Sequence, residues 1–203
     1  MRRTKEEAEI TKQNLLSAAL EVFSRKGYTA TRVEDVARQA NLSTGAIYHH
    51  FGGKSDLYIA LVEKNSAKAN RLAQQSIEEG GSPATTLTRL LVRMFQFAEE
   101  DSEYRAVIEL SLNKTEAVSD LASINAQILE SRRQLARFLS GLISEGIRIG
   151  EFRSSIATED AALALVGYIN GLWLIWIQDQ GYFSIRERAE NFVNLFMAGL
   201  LVR

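Results

Sequence analysis

Polar and aromatic side chains gather between residues 32 and 54, and their types suit contacts with nucleic acid. Hydroxyl, imidazole and cationic groups bind phosphates and base edges, and a glycine lets a helix approach DNA closely. The set comprises Arg32, Ser43, Thr44, Gly45, Tyr48, His49, His50 and Lys54. On spacing alone, an ordinary helical hairpin with a solvated polar face is favoured over a nucleic-acid-binding site.

Two short helices joined by a tight turn would position these groups. The first is expected from Arg32 to about Ala40, with Thr31 as its N-terminal cap, because its apolar side chains recur at helical spacing. Asn41 follows, and asparagine tolerates the left-handed conformation that such a turn requires.

Ser43 is expected to cap the second helix, which would run from Thr44 to about His50. Ile47 and Phe51 are four residues apart and would face inward, which leaves the polar groups outside. This arrangement is the helix-turn-helix, whose second helix enters the major groove by its N-terminal residues.

A longer string, LLSAALEVFSRKGYTATRVEDVARQANLSTGAIYHHFGGKSDL over residues 15–57, resembles the DNA-binding domain of the tetracycline-repressor (TetR) family of bacterial regulators. The matching pieces are AALEVFSRKGY, TATRVEDVARQANLSTGAIYHHF and GKSDL. Asn41 replaces the more usual glycine of the turn, and Gly53 stands where a serine or aspartate cap is common. The resemblance implies a homodimeric repressor that binds palindromic operator DNA. It also implies a body that binds a small effector, which lowers the affinity for that DNA.

Composition agrees with an all-α fold that needs no disulfide. The chain has 203 residues, 46% apolar content, one proline and no cysteine, which fits a reducing cytoplasm and excludes a thiolate metal site. Residues 1–56 hold nine Lys and Arg against seven Asp and Glu, whereas the rest holds fifteen against eighteen. A basic head on an acidic body has the sign expected of a DNA-binding protein.

The pattern predicts about nine helices in two domains, a DNA-binding head over residues 1–54 and an effector-binding and dimerisation body over 55–203. Residues 1–7 are expected to be a mobile arm, either an ordinary terminus or one that places Arg2 and Arg3 in a minor groove. A first helix would end at Gly27, and a long fourth helix, from Lys54 to about Glu79, would link head and body. Five more helices are predicted at about 84–100, 102–114, 118–147, 158–180 and 184–202.

Residues 161–178 carry no charge, and the length of this uncharged segment is close to that of a membrane span. Asp160 and Asp179 flank the segment without a basic cluster, so a buried helix shared by the core and a dimer interface is the preferred interpretation. A pair of small residues four apart lets helix backbones approach closely. The predicted interface residues are Gly167, Gly171, Phe192, Phe196 and Leu200. No membrane association is expected, and the absence of a signal peptide indicates a cytoplasmic protein, at the nucleoid when bound to DNA.

The effector pocket implied by the resemblance would have aromatic walls and a few polar groups. Its candidate residues are Met94, Phe95, Phe97, Tyr104, Glu109, Asn113, Phe138, Tyr168, Asn170, Trp173 and Trp176. Residues of these types at helical spacing are also typical of plain core. The predicted effector is a small apolar or aromatic molecule, and Glu109 would favour a cationic one unless it pairs with Arg105 on the same helix.

Two other functional classes are weighed against a DNA-binding repressor. Gly53, Lys54 and Ser55 are similar to the end of a phosphate-binding loop, but Tyr48 stands where that motif needs glycine. Adjacent histidines on a helix point about 100° apart and cannot chelate together, so no enzyme, cofactor or metal is expected. A helical dimer whose head binds only proteins stays open, as does an activator or a corepressor-dependent regulator.

Overall fold

Nine α-helices make up most of the computed structural model, which describes residues 5–112 and 121–202. Within these residues the extended structure is limited to one isolated bridge between Phe152 and Leu201, so the all-α class is confirmed. The helices are α1 (Lys5–Ala30), α2 (Val33–Gln39), α3 (Thr44–Phe51), α4 (Lys54–Glu78), α5 (Pro83–Glu100), α6 (Ser102–Leu112), α7 (Leu121–Arg148), α8 (Thr158–Gln178) and α9 (Ala189–Leu200).

The first core, which we call the head core, is formed by α1, α2, α3 and the first half of α4, with α1 packed on α2 and α4 and α3 packed on α2. It is not confined to the predicted head, because Val107 of α6 and Ile124 and Ile128 of α7 also belong to it. Its other buried members are Leu15, Leu16, Ala18, Ala19, Leu20, Val22, Phe23, Val36, Ala37, Ala40, Ile47, Phe51, Leu57, Tyr58, Leu61 and Val62.

A second core, the body core, lies among α5, α6, α7, α8 and α9, where α7 packs along α8 and α5 along α9. Its buried members include Leu87, Leu90, Leu91, Met94, Phe95, Tyr104, Ile108, Leu165, Ile169, Trp173, Trp176, Val193 and Met197. One face of α8 thus belongs to the body core. It is also the one described helix that is long and apolar enough to span a membrane, with 39% of that stretch buried.

The caps of the helix-turn-helix differ from the prediction at one place. Arg32, and not Thr31, is the N-terminal cap residue of α2, and the Thr31 hydroxyl donates to the Gly27 carbonyl at 2.7 Å. The physical reason is that the Asp35 carboxylate accepts the Arg32 N–H at 3.2 Å, so α2 is capped from its third residue. A hydrogen bond from Lys26, followed by that from the Arg32 N–H, holds the pKa of Asp35 below its ordinary value.

The turn and the second cap follow the prediction. Asn41 has φ 54°, the left-handed conformation expected of it. The Ser43 hydroxyl accepts the Ala46 N–H at 3.3 Å and so caps α3. Gly27 has φ 75° and interrupts the helical conformation where the end of the first helix was predicted.

Two predicted boundaries need correction, and two others lie outside the described residues. Residues 5–7 form the first turn of α1 rather than a mobile arm, while Arg2 and Arg3 lie outside the described residues. The last helix begins at Ala189, five residues later than predicted, because the Glu99 carboxylate accepts the Ser184 hydroxyl at 3.0 Å and the Arg186 N–H at 3.0 Å. α7 begins at Leu121 in the described part of the chain, so its predicted start at 118 and the predicted end of α6 at 114 are outside it.

Candidate functional site

The face of α3 that points away from the head core carries most of the predicted DNA-contacting groups. Ile47 and Phe51 are buried and fix the helix on the core. On the outside, Tyr48 is 57% exposed, and His49 is also exposed. Ser43 and Gly45 are exposed as well, whereas Thr44 and His50 are half-buried. The outer face of α3 therefore presents hydroxyl, phenol and imidazole groups together.

Lys54 was predicted to contact a DNA phosphate, but its ammonium group is bonded to carbonyls of its own chain. Its ammonium group donates to the carbonyls of Tyr28 at 3.1 Å and Thr31 at 3.0 Å, and it lies 4.3 Å from the centre of the Tyr28 ring. These contacts fasten the first residue of α4 to the turn between α1 and α2. The geometry makes Lys54 a positioning residue for the helix-turn-helix, and its role toward phosphate stays a prediction. Arg32, the remaining predicted contact, is exposed at the start of α2.

A cavity of about 340 Å³ lies among α4, α5, α6, α7 and α8. Five of the predicted effector residues line it: Met94, Tyr104, Phe138, Asn170 and Trp173. Five others do not: Phe95, Phe97, Glu109, Tyr168 and Trp176. Asn113 lies outside the described residues.

The side chains that miss the cavity are used elsewhere. Phe95 and Trp176 are buried in the body core, and Phe97 packs against the Tyr104 ring at 5.0 Å between ring centres. The Tyr168 hydroxyl donates to the Phe192 carbonyl at 2.9 Å. These residues therefore serve packing between helices.

Glu109 was the basis for predicting a cationic effector, and the structure removes that basis. The side chain is half-buried on α6 but is not part of the cavity wall. The alternative pairing with Arg105 is also absent, since no ion pair joins these two described residues.

The cavity lies where the two cores meet along α4. Val62, Val107 and Ile128 belong to the head core and line it from that side. The opposite apolar contribution comes from members of the body core, namely Leu90, Met94, Tyr104, Ile108 and Trp173. A molecule bound here would contact both cores at once.

An ion-pair cluster beside the cavity joins α4 to the corner between α5 and α6. The Lys68 ammonium lies 2.8 Å from carboxylate oxygens of both Asp101 and Glu103, and Lys64 lies 2.6 Å from Glu103. Burial disfavours the charged forms of Asp101 and Glu103, but hydrogen bonds from the lysines outweigh it and leave both pKa values below their ordinary values. Burial likewise opposes the charge on Lys68, yet its carboxylate partners raise its pKa.

The outer face of α8 and α9 is apolar and uncovered. Leu163 is 61% exposed, Ile175 53% and Leu195 72%, and Gly167 is exposed between them. Gly171, Phe192 and Phe196 are half-buried at this face. Leu200 is the exception among the predicted interface residues, because it is buried in the body core of its own chain.

Known families match both parts of this architecture. Residues 15–61 match the family described as bacterial regulatory proteins, tetR family, and residues 80–200 match the tetracyclin repressor-like C-terminal domain. The chain belongs to the TetR family. It is therefore a helix-turn-helix transcriptional regulator, as the resemblance over residues 15–57 predicted, and not a member of an enzyme family.

Individual TetR-family proteins are similar over nearly the whole chain. The HTH-type transcriptional regulator AcrR of Shigella flexneri is 28% identical over 201 residues, which cover 97% of this chain and 92% of that protein. The structure of NalD, the secondary repressor of the MexAB-OprM multidrug efflux pump in Pseudomonas aeruginosa, has a TM-score of 0.86 at 23% identity and covers 97% of this chain and 98% of NalD. The SmeT–triclosan complex has a TM-score of 0.84 at 19% identity, with 95% and 92% covered.

Sequence reasoning missed the polar part of the cavity wall and one positioning residue of the head. The missed polar wall residues are Asn65, Ser66, Asn70 and Gln74 on α4, Ser111 on α6, and Ser131, Arg132 and Gln134 on α7. The recurrence of small residues four apart, Ala69 and Ala73, was a usable signal for space beside α4. Asn14, whose amide donates to the Ala40 carbonyl at 3.2 Å, gave no local signal because its partner is 26 residues away.

Proposed function

We propose that this TetR-family regulator is a homodimeric repressor that binds a palindromic operator through α3. We further propose that a small, largely apolar effector enters the cavity beside α4 and releases the DNA. The protein acts in the bacterial cytoplasm, where it is associated with the nucleoid while bound. The division of labour places DNA binding in residues 1–54 and effector binding and dimerisation in residues 55–203.

The position of the cavity carries this proposal. It is bounded by both the head core and the body core, and α4 runs along it from an N-terminal residue that is fastened to the head. An effector that changes the packing between the two cores would therefore also change the position of α3. The effector can shift DNA affinity only by its differential binding to two protein states, and a hundredfold loss needs about 2.7 kcal/mol of such difference.

The exposed apolar face of α8 and α9 supports the dimer. Monomeric proteins rarely leave a contiguous apolar surface uncovered, and Leu163, Ile175 and Leu195 are all more than half exposed on these helices. Gly167 would let a helix of the partner approach closely. Two-fold symmetry would place two copies of α3 on successive turns of one DNA face, which matches a palindromic operator.

Tyr48 offers the sharpest test of DNA binding. Fluorescence anisotropy would follow labelled DNA that the protein has enriched from a random pool, over a series of salt concentrations. Tyr48→Ala should weaken binding at least tenfold, about 1.4 kcal/mol, because it removes the most exposed aromatic side chain of α3. Tyr182→Ala, a matched change at an exposed tyrosine outside the head, should leave the affinity unchanged.

Both variants should melt at the temperature of the natural protein, because both side chains are exposed. Equal DNA binding by the natural protein and Tyr48→Ala would contradict the proposal and favour the alternative, a helical dimer whose head contacts only proteins. Enrichment of DNA only when a small molecule is added would instead indicate a corepressor-dependent regulator.

A further inference from the structure

Arg132 is the charged member of the cavity wall among the described residues. It lies on α7 and is half-buried. Its neighbours one helical turn away, Ile128, Leu129, Leu135 and Ala136, are all apolar and offer no counter-charge. The guanidinium group thus has no partner on its own helix.

The other described helices do not neutralise Arg132 either. Glu130, two residues away, pairs with Arg137 at 2.7 Å, and Glu103 is held by Lys64 and Lys68. Within residues 5–112 and 121–202, no hydrogen bond or ion pair involves Arg132. A half-buried cation without a counter-charge is unfavourable, and Arg is the side chain best suited to hold a carboxylate or phosphate by two parallel hydrogen bonds.

Two further donors in the wall lack acceptors. Trp173 is buried, and its indole N–H has no hydrogen-bond partner among the described residues. Tyr104 is also buried, and the described residues supply no hydrogen-bond partner for its hydroxyl. Burial raises the pKa of Tyr104, so the hydroxyl keeps its proton and can donate it. These three donors lack acceptors among the described residues, and a ligand that brings oxygen acceptors would satisfy them.

The described cavity wall offers little to a cationic ligand. Its residues include no Asp or Glu, and its other polar groups are neutral amides and hydroxyls. Its remaining surface is apolar and aromatic, and its volume of about 340 Å³ suits a small molecule.

We infer that the effector is a small apolar molecule with one anionic group, and that Arg132 binds this group. This inference rests on the proposed function, because it names the chemical class of the proposed effector. It replaces the cationic class that Glu109 had suggested.

Isothermal titration calorimetry with six probes tests the inference on the full-length protein. Decanoate, decanol and decylamine share one aliphatic chain, and 4-biphenylcarboxylate, 4-biphenylmethanol and 4-biphenylmethylamine share one aromatic body. On any scaffold that binds, the carboxylate should bind at least tenfold more tightly than the alcohol or the amine. Arg132→Gln should remove this preference, whereas Arg133→Gln, a matched change at the exposed neighbouring arginine, should keep it.

Arg132→Lys provides a second variant that keeps the positive charge but loses the two-pronged geometry, and it should retain part of the preference. An amine or alcohol that binds as tightly as the carboxylate would overturn the inference, and so would an unchanged preference in Arg132→Gln or the failure of all six probes. Operator binding measured on the same preparations separates the two proposals, since it tests the regulator without reference to the effector class.

Discussion

The two halves of α4 lie in different surroundings. In its first half Leu57, Tyr58 and Leu61 are buried in the head core and do not line the cavity. In its second half the helix borders the cavity with small and amide side chains, and Lys64 and Lys68 attach it to the α5–α6 corner through charges. Close packing permits one arrangement, whereas ion pairs beside an open space tolerate small displacements. The helix therefore joins a rigid DNA-binding head to a body whose packing around the cavity can adjust.

Leu57→Ala should have the largest effect on stability if this contrast is correct. Leu57 is fully buried, and removing it from a packed core costs about 2–5 kcal/mol of unfolding free energy. Ile77→Ala, in the second half of the same helix, changes a side chain that is 44% exposed and should cost less than about 0.5 kcal/mol. Urea unfolding followed by circular dichroism measures both, and equal losses would refute the contrast.

Lys54→Met should have the next largest effect. The change removes a charged donor from the carbonyls of Tyr28 and Thr31, and hydrogen bonds to charged groups contribute about 1.5–3 kcal/mol. If Lys54 only positions the head, urea unfolding should show this loss while the salt dependence of DNA binding keeps its slope. A slope reduced by about one unit with unchanged stability would instead restore the predicted phosphate contact.

Lys68→Met should have the smallest effect, and the effect should depend on pH. It removes the shared partner of Asp101 and Glu103 and should cost about 1–2 kcal/mol, because the two carboxylates stay partly in water. The lowered pKa values of Asp101 and Glu103 mean that the natural cluster stabilises the fold at neutral pH and loses this contribution as pH falls through those values.

The unfolding free energies of the natural protein and Lys68→Met should therefore converge below the ordinary carboxyl range. Arg137→Met breaks the more exposed pair with Glu130 and serves as the matched control, with a smaller cost than Lys68→Met. A Lys68→Met deficit that is the same at neutral and acid pH would show that packing, and not charge, holds α4 to this corner.

Local signals account for what the sequence could predict. The capping of α3 by Ser43, the left-handed Asn41 and the inward Ile47 all depend on residues within one or two helical turns. The bonds of Lys54 and Asn14 to carbonyls 26 residues away depend on how helices pack, and no local pattern encodes them.

The cavity wall was harder to predict for the same reason. Aromatic side chains on a helix look alike whether they fill a core, as Trp176 does, or border a space, as Trp173 does. Arg132 is one charged residue among many in α7, and only the packing of five helices shows that it lies beside a space.

Both ends of α4 are fastened to neighbouring elements. Lys54 binds two carbonyls at its start, and near its end the Arg89 guanidinium donates to the carbonyls of Ser76 at 2.9 Å and Gly80 at 3.0 Å. Because both ends of α4 are held, a force near its middle would bend the helix, and α4 has no glycine or proline at which it could hinge. A bound effector would thus bend α4 gradually over many residues, and this curvature would shorten the distance between labels attached at the two ends of the helix. A rigid tilt of α4 would leave that distance constant.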